Sequence, residues 1–262
     1  MNPATPDKLI NLNIAKISKK IESFISDYVS KNSAKGLVIG LSGGLDSSVV
    51  LKLCVNALGK SRVLGVAMPS DTTPKEDTDH AIKLTKSLGI KHHVIDIGPL
   101  LDKYAQVLPE DRRARGNLTA RIRMNILYYY AGVNNYFVAG TSDKSELCIG
   151  YFTKFGDGAA DIMPIADLYK SQVRALAKYL GIPKEIVEKK SSPRLWHNHL
   201  AEEEIGMDYE MIDPILYLLV DRKVKEDYVA KKLGVSAMKV TKIKEMMEKS
   251  SHKRRRSPIA LQ

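Results

Sequence analysis

Apolar residues recur every three or four positions over residues 14–31, where Ile14, Ile17, Ile21, Phe24, Ile25 and Val29 alternate with lysines and acids. That period predicts an amphipathic helix. The pattern then changes to a short apolar run, LVIGL at 37–41, followed by SGGLDSS and the apolar-periodic VVLKLCVNAL. This reads as strand, tight glycine turn and helix. The unit repeats. RVLGVAMP at 62–69 predicts a second strand, a helix opens at Pro74 and closes at Gly89, and HHVIDI at 92–97 predicts a third strand. A helix over 117–132 and a strand over 136–141 come next. Strands alternating with helices imply parallel pairing through crossovers, so the expected fold class is α/β, an open parallel sheet flanked by helices. Ligands of such sheets sit beyond the carboxyl ends of the strands, which directs attention to the residues after Leu41, Met68, Ile97 and Gly140.

Beyond Thr141 the alternation gives way to a glycine-rich loop at 150–164, a helix at 167–181, an irregular stretch around 190–200 and then helical segments up to a basic tail, SHKRRRSP. With no fixed-period repeat and no flexible linker, the expectation is one domain over 1–262, with a sheet core at about 36–190 and a helical C-terminal appendage at about 200–262.

Composition narrows the class. The 262 residues are 44% hydrophobic, 27% charged and 6% aromatic, enough for a substantial core. No apolar stretch reaches the roughly 18 residues of a membrane span, and the first ten residues lack the charge-then-apolar order of an export signal. No membrane association is expected. Two cysteines, Cys54 and Cys148, are too few for a disulfide framework, which fits a cytoplasmic location. The net charge is +11, and residues 221–262 carry +8 of it through 13 basic and 5 acidic groups. Such a field suits nucleic acid or a small phosphorylated substrate equally well.

The turn after the first strand carries the clearest chemistry. Its glycines allow φ > 0 and let backbone amides approach an anion, and the helix N-terminus adds free N–H groups. Ser42, Ser47 and Ser48 contribute hydroxyls. The turn lacks the lysine of the common G-x-x-x-x-G-K-[ST] phosphate loop and offers Asp46 instead. A carboxylate beside phosphate calls for a cation between them, and magnesium is the economical choice.

SGGLDSS resembles the signature of the ATP pyrophosphatases, in which the loop grips the pyrophosphate end of ATP while the α-phosphate is attacked. GNLTARIRMNILYYYA at 116–131 and the long motif from Gly140 to Pro183 are similar to NAD synthetase in its ammonia-dependent form, and the similarity spans nearly the whole chain. That resemblance implies a set of site residues. By it, Gly40, Leu41, Ser42, Gly43, Gly44, Leu45, Asp46 and Ser47 form the ATP loop, with Thr141, Lys170 and Ser192 also around ATP. By the same resemblance Asp46 and Glu146 are the Mg2+ ligands, and Arg121, Lys154, Asp161, His252 and Lys253 contact deamido-NAD. Asp46, Glu146, Lys170 and Asp161 are the residues expected to carry catalysis, Lys170 as a mobile charge on the triphosphate. The implied reaction is ATP-dependent amidation of deamido-NAD by ammonia, through an adenylylated carboxylate, in a homodimer with no nucleic-acid partner.

Simpler readings stand beside these. Arg121 and Arg123 could be surface charges, Lys154 and Asp161 could pair with each other, and His252 could face solvent. Tyr128, Tyr129 and Tyr130 suit a core or an interface better than a stacking platform. After Leu195-Trp196 the sequence departs from the family, which generally continues Gly-Gln and Thr-Asp-Glu, and reads His197-Asn198-His199-Leu200-Ala201-Glu202. Two histidines without a third ligand make a poor metal site. An altered flap is expected, and the loops at 69–80 and 191–203 are candidate lids. Rival functions are an ATP pyrophosphatase acting on tRNA, which would need an RNA-binding module or a cysteine pair, and a non-catalytic ATP-binding protein, which would not need Glu146.

Overall fold

The structure is a computed structural model that describes residues 12–196 and 199–260. Helix α1 (Ile14–Lys31) is capped by the Asn13 side chain, which accepts from Lys16 N at 3.0 Å. Its Ile25 and Val29 are fully buried, the face that the spacing predicts. Four strands follow in the order β1 (Gly36–Leu41), β2 (Val63–Ala67), β3 (Lys91–Val94) and β4 (Tyr136–Ala139). They form one sheet of spatial order β3-β2-β1-β4 in which every pairing is parallel. Between them lie α2 (Leu45–Leu58), α3 (Lys75–Leu88), α4 (Gly98–Ala105) and α5 (Arg112–Asn134).

Two apolar layers cover the sheet. α1 and α2 pack on one face with α7 (Lys170–Tyr179) and α8 (Lys184–Val187), around Leu37, Ile39, Val50 and Leu176. Residues of α4 and α5, among them Leu101 and Ile122, cover the other face against Val38, Leu64 and Val66. A third cluster, centred on Ile212, Ile215, Val229 and Ile243, holds together α6 (Lys144–Ile149), α9 (Ala201–Ile205), α10 (Tyr209–Leu216), α11 (Glu226–Leu233) and α12 (Ala237–Lys249). No helix among the described residues is long and apolar enough to cross a membrane.

The expected parallel α/β sheet is present, with shifted boundaries. The third strand ends at Val94 and not at Ile97, because β3 is an edge strand, although Ile95 N and Ile97 N still donate to Ala67 O and Pro69 O. The predicted helix at 117–132 starts five residues earlier, where Asp111 Oδ1 accepts from Ala114 N at 2.6 Å as its cap. α4 is not predicted from the sequence because Gly98-Pro99 looks like a breaker, yet proline at the first helical turn loses no hydrogen bond.

Candidate active site

The strand order reverses at β1, with β2 on one side and β4 on the other, and a cleft of about 350 Å3 opens beyond the carboxyl ends of these strands. From the β1 turn it is lined by Gly40, Leu41, Ser42, Gly44, Leu45, Asp46 and Ser47, and from the β4 end by Thr141, Ser142 and Glu146. Gly43 sits behind the lining at φ 69, where a Cβ would lie 1.9 Å from Asp77 O, so only glycine fits. Within the turn Ser42 and Ser47 hydroxyls are 3.1 Å apart, Gly44 N donates to Ser42 Oγ, and Ser48 Oγ donates to Gly44 O at 2.7 Å. The loop is therefore held open by its own serines at the N-terminus of α2.

Behind the loop lies a buried ion cluster. Lys170 Nζ, wholly enclosed, is 2.8 Å from Asp46 Oδ2, 2.9 Å from Asp143 Oδ2 and 2.9 Å from Glu146 Oε1. Asp143 caps α6 in a reciprocal box: its Oδ1 accepts from Glu146 N at 2.8 Å, while Glu146 Oε2 accepts from Asp143 N at 3.3 Å. Burial alone would discharge the Lys170 ammonium, but the three carboxylates outweigh it and hold its pKa well above the lysine norm. Burial pushes the Asp143 carboxyl well above the usual carboxylate range despite Lys170, and it pushes Glu146 up to about 7, helped by the charge of Asp46. The helical C-terminal region braces the cluster. Asp213 of α10 accepts from Ser145 Oγ at 2.5 Å and from Ser171 N at 2.8 Å, and Lys170 Nζ stands 5.2 Å from the centre of the Tyr209 ring.

Lys170 is thus not the mobile charge expected from sequence. It is a fixed cation that positions two carboxylates toward the cleft. Asp143 is absent from the residues expected from sequence, although the D-x-x-E spacing that marks a helix start is a signal that could find it. Asp46 Oδ1 is buried with no hydrogen-bond partner among the described residues. Among the described residues no group of three or more His, Cys, Asp or Glu side chains is placed to hold a metal ion by itself, and the three carboxylates here share the Lys170 ammonium. Two hard oxygen ligands, one of them orphaned, fit a magnesium ion that completes its shell with phosphate and water.

The rim comes from two loops that meet. Thr72 Oγ1 donates to Arg194 O at 2.7 Å, Arg194 Nε donates to Asp77 Oδ2 at 2.9 Å, and Lys189 pairs with Asp77 Oδ1. Asp77 is buried, and Arg194 holds φ 52 to make these bonds. The two candidate lids are therefore tied to each other. Ser192 lines the cleft beside them, and its hydroxyl donates to His199 O. His197 and Asn198 lie outside the described residues.

The five expected deamido-NAD contacts divide. Lys253 lines the cleft, but its Nζ donates to Gly150 O at 2.7 Å and Phe152 O at 2.8 Å, and burial lowers its pKa. Arg121, Lys154 and His252 do not line it. They form an outer chain in which Arg121 Nη2 donates to Lys154 O and Lys154 Nζ donates to His252 O at 3.0 Å. Asp161 is also outside the cleft lining: its Oδ2 accepts from Val138 N at 2.7 Å and its Oδ1 from Tyr128 OH at 3.4 Å, bracing the end of β4. The simpler alternative, a pairing of Lys154 with Asp161, is absent among the described residues. Tyr130 stacks on His93, and Tyr129 is 69% exposed on α5. Arg254, which the sequence suggests only as part of a general basic field, donates to Leu147 O and Cys148 O at 2.9 Å.

The NAD synthase family model matches residues 17–257. The chain belongs to the NAD synthase family. It is 49% identical to the NH3-dependent NAD+ synthetase of Hyperthermus butylicus over 257 residues, covering 97% of this chain and 93% of that protein. Among solved structures, NMN synthetase from Francisella tularensis superposes with a TM-score of 0.85 at 37% identity, over 96% of this chain and all of that one. The NH3-dependent NAD synthetase from Campylobacter jejuni gives 0.81 at 32% identity, over 95% and 99% of the two chains. The buried lysine and its three carboxylates thus belong to a ligase fold, beside the loop at Gly40–Ser47 that the sequence resemblance assigns to ATP.

Proposed function

We propose that this chain converts deamido-NAD to NAD with ATP and ammonia, by way of an acyl adenylate. The observation that carries this reading is the meeting of a serine- and glycine-lined anion loop with Asp46 and Glu146 at the point where the sheet reverses. A carboxylate resists amidation because oxide is a poor leaving group, and adenylylation replaces it with AMP. The loop amides at the start of α2 hold the polyphosphate, and Lys170 keeps Asp46 and Glu146 at fixed separation from it. Asp46 and Glu146 would hold a magnesium ion, whose chemistry when bound is to neutralise charge on the departing pyrophosphate. The tied loops around Asp77 shield the intermediate from water.

The residues that bind deamido-NAD belong to the same proposal. Lys253 faces the cleft, whereas Arg121, Lys154 and His252 lie on an outer face of the protomer. Their service to a dinucleotide requires a second copy of the chain to bring that face to a cleft, so the homodimer is part of this reading. Asp161, which braces the end of β4, would likewise serve substrate through that second copy.

Incubation with magnesium-ATP, ammonium and either deamido-NAD or the corresponding mononucleotide tests it. NAD, AMP and pyrophosphate in equal amounts are expected from the dinucleotide. Preference for the mononucleotide would redirect the reading toward the activity named for the Francisella tularensis neighbour. Asp46→Asn should abolish pyrophosphate release and keep the fold, since only the charge of one ligand changes.

A further inference from the structure

The segment where the sequence leaves the family pattern includes His199, and this residue stands in a polar cluster on the cleft wall. His199 is 3% exposed. Its Nε2 lies 2.7 Å from Glu204 Oε2 of α9 and 3.1 Å from the Tyr151 hydroxyl, which itself donates to the same Oε2 at 2.8 Å. The ring stacks on Trp196 with centroids 3.4 Å apart and planes 13° apart, and Arg112 lies over Trp196 at 4.8 Å. His199, Tyr151, Glu204 and Trp196 all line the cleft.

The geometry fixes the tautomer. Tyr151 spends its proton on Glu204, and an ionised carboxylate only accepts, so the short contact from His199 Nε2 requires a proton on that nitrogen. His199 Nδ1 is then a bare acceptor. It is buried and meets no partner among the described residues. A carboxylate that orients one imidazole nitrogen and leaves the other free is the arrangement of a positioned base. Burial also lowers the pKa of His199, against the pull of Glu204, which favours the neutral ring. The charged groups that act on the ring are Glu204 of α9 and Arg112 of α5, and Arg113 of α5 and Lys253 of the tail act in turn on Glu204.

We propose that His199 is a catalytic residue of this chain that takes a proton from ammonium at the cleft wall, generating the ammonia that attacks the acyl adenylate. This rests on the amidation reading above and deepens it. Ammonium gives one proton to His199 Nδ1. The freed lone pair attacks the carbonyl carbon, the bond from that carbon to the adenylate oxygen breaks, and AMP leaves with the electron pair. The nitrogen then sheds a second proton to water, and His199 returns its own to solvent. Glu204 and Tyr151 are positioning residues, acting through the ring.

The test compares wild type with His199→Gln, which retains polar contacts but cannot carry the proton, and with Glu204→Gln. Three rates are measured between pH 6.5 and 9.5: ATP–pyrophosphate exchange with deamido-NAD, NAD formation from ammonium, and hydroxamate formation from hydroxylamine, a nucleophile already unprotonated at neutral pH. In His199→Gln, exchange and hydroxamate formation should fall far less than NAD formation from ammonium at pH 7. NAD formation at pH 7 should fall on the order of a hundredfold, the lower edge of what a positioned base contributes, and should recover as rising pH supplies free ammonia. Glu204→Gln should show the same pattern more weakly. Unchanged use of ammonium at pH 7, or equal loss with ammonium and hydroxylamine, would overturn the proposal and leave amidation standing. A wild-type protein that forms no NAD would instead overturn the functional reading on which the proposal rests.

Discussion

Lys170 Nζ lies 2.9 Å from Asp143 Oδ2, and both side chains are completely buried. Neither residue needs to reach substrate to matter. Asp143 starts the helix that carries Glu146, Lys170 starts the helix that packs on the sheet, and their contact fixes Glu146 and Asp46 across the mouth of the cleft.

Lys170→Met should be severely destabilising. The substitution leaves three carboxylates crowded in a site built around one cation, and breaking a buried ion cluster on one side typically costs about 3–5 kcal/mol. Urea denaturation in the absence of ligands checks this. A loss below about 1 kcal/mol would mean that the carboxyls simply take up protons.

The ligand-free protein should lose stability as pH rises through neutrality because of Glu146. Its folded-state pKa of about 7 lies above that of an unfolded glutamate, so its contribution is fully present below the unfolded value. That contribution is lost as pH climbs through about 7. Glu146→Gln does not titrate, so its Tm relative to wild type should rise between pH 4.5 and 8. A constant difference across that window would contradict the assignment.

Gly43→Ala should damage ATP binding more than the fold. A Cβ at φ 69 would meet Asp77 O at 1.9 Å, forcing either the loop or the start of α3 to move. Strain of this kind costs about 1–3 kcal/mol, and the KM for ATP should rise by at least tenfold while the KM for deamido-NAD changes less. Equal changes in both would place the effect elsewhere.

Asp77→Asn releases two cations at once, Lys189 and Arg194, and with them the link between the lids. The adenylate should then leak to water. The expected sign is AMP formed in excess of NAD when ammonium is scarce, measured by chromatography of both products.

Lys253 and Arg254 form a brace and not a loose charged end. Ser250, Lys253 and Arg254 seal the backbone from Leu147 to Phe152. Removal of residues 251–262 should raise the deamido-NAD requirement, and it should also lower kcat by displacing Tyr151. Unaltered kinetics would reduce the tail to a solvated charge run.

Much of this architecture is legible in the sequence where local pattern and tertiary role coincide. The buried strands are continuous apolar runs, and the loop from Ser42 to Ser47 announces itself by composition and by its place after a strand. Lys170 shows the limit. A single lysine at a helix start looks like a solvent charge, and its burial depends on acids delivered by separate segments at positions 46, 143 and 146. Asp77 is hidden for the same reason, since its partners at 189 and 194 are more than a hundred residues away. Arg121, Lys154 and His252 look like one contact set in the sequence, and the structure does bring them together, but on an outer face that the one-dimensional pattern does not separate from the cleft.

Gly150 and Lys253 are joined across 103 residues of chain, and a Cβ at Gly150 would overlap Ser250. Closure of so long a loop is entropically slow compared with the local pairing of helices and neighbouring strands. During refolding the sheet should therefore acquire its protection from hydrogen exchange before the 147–152 backbone does. Recovery of catalysis should lag behind recovery of helicity, with a half-formed protein that is native in outline and enzymatically silent until its two distant segments meet.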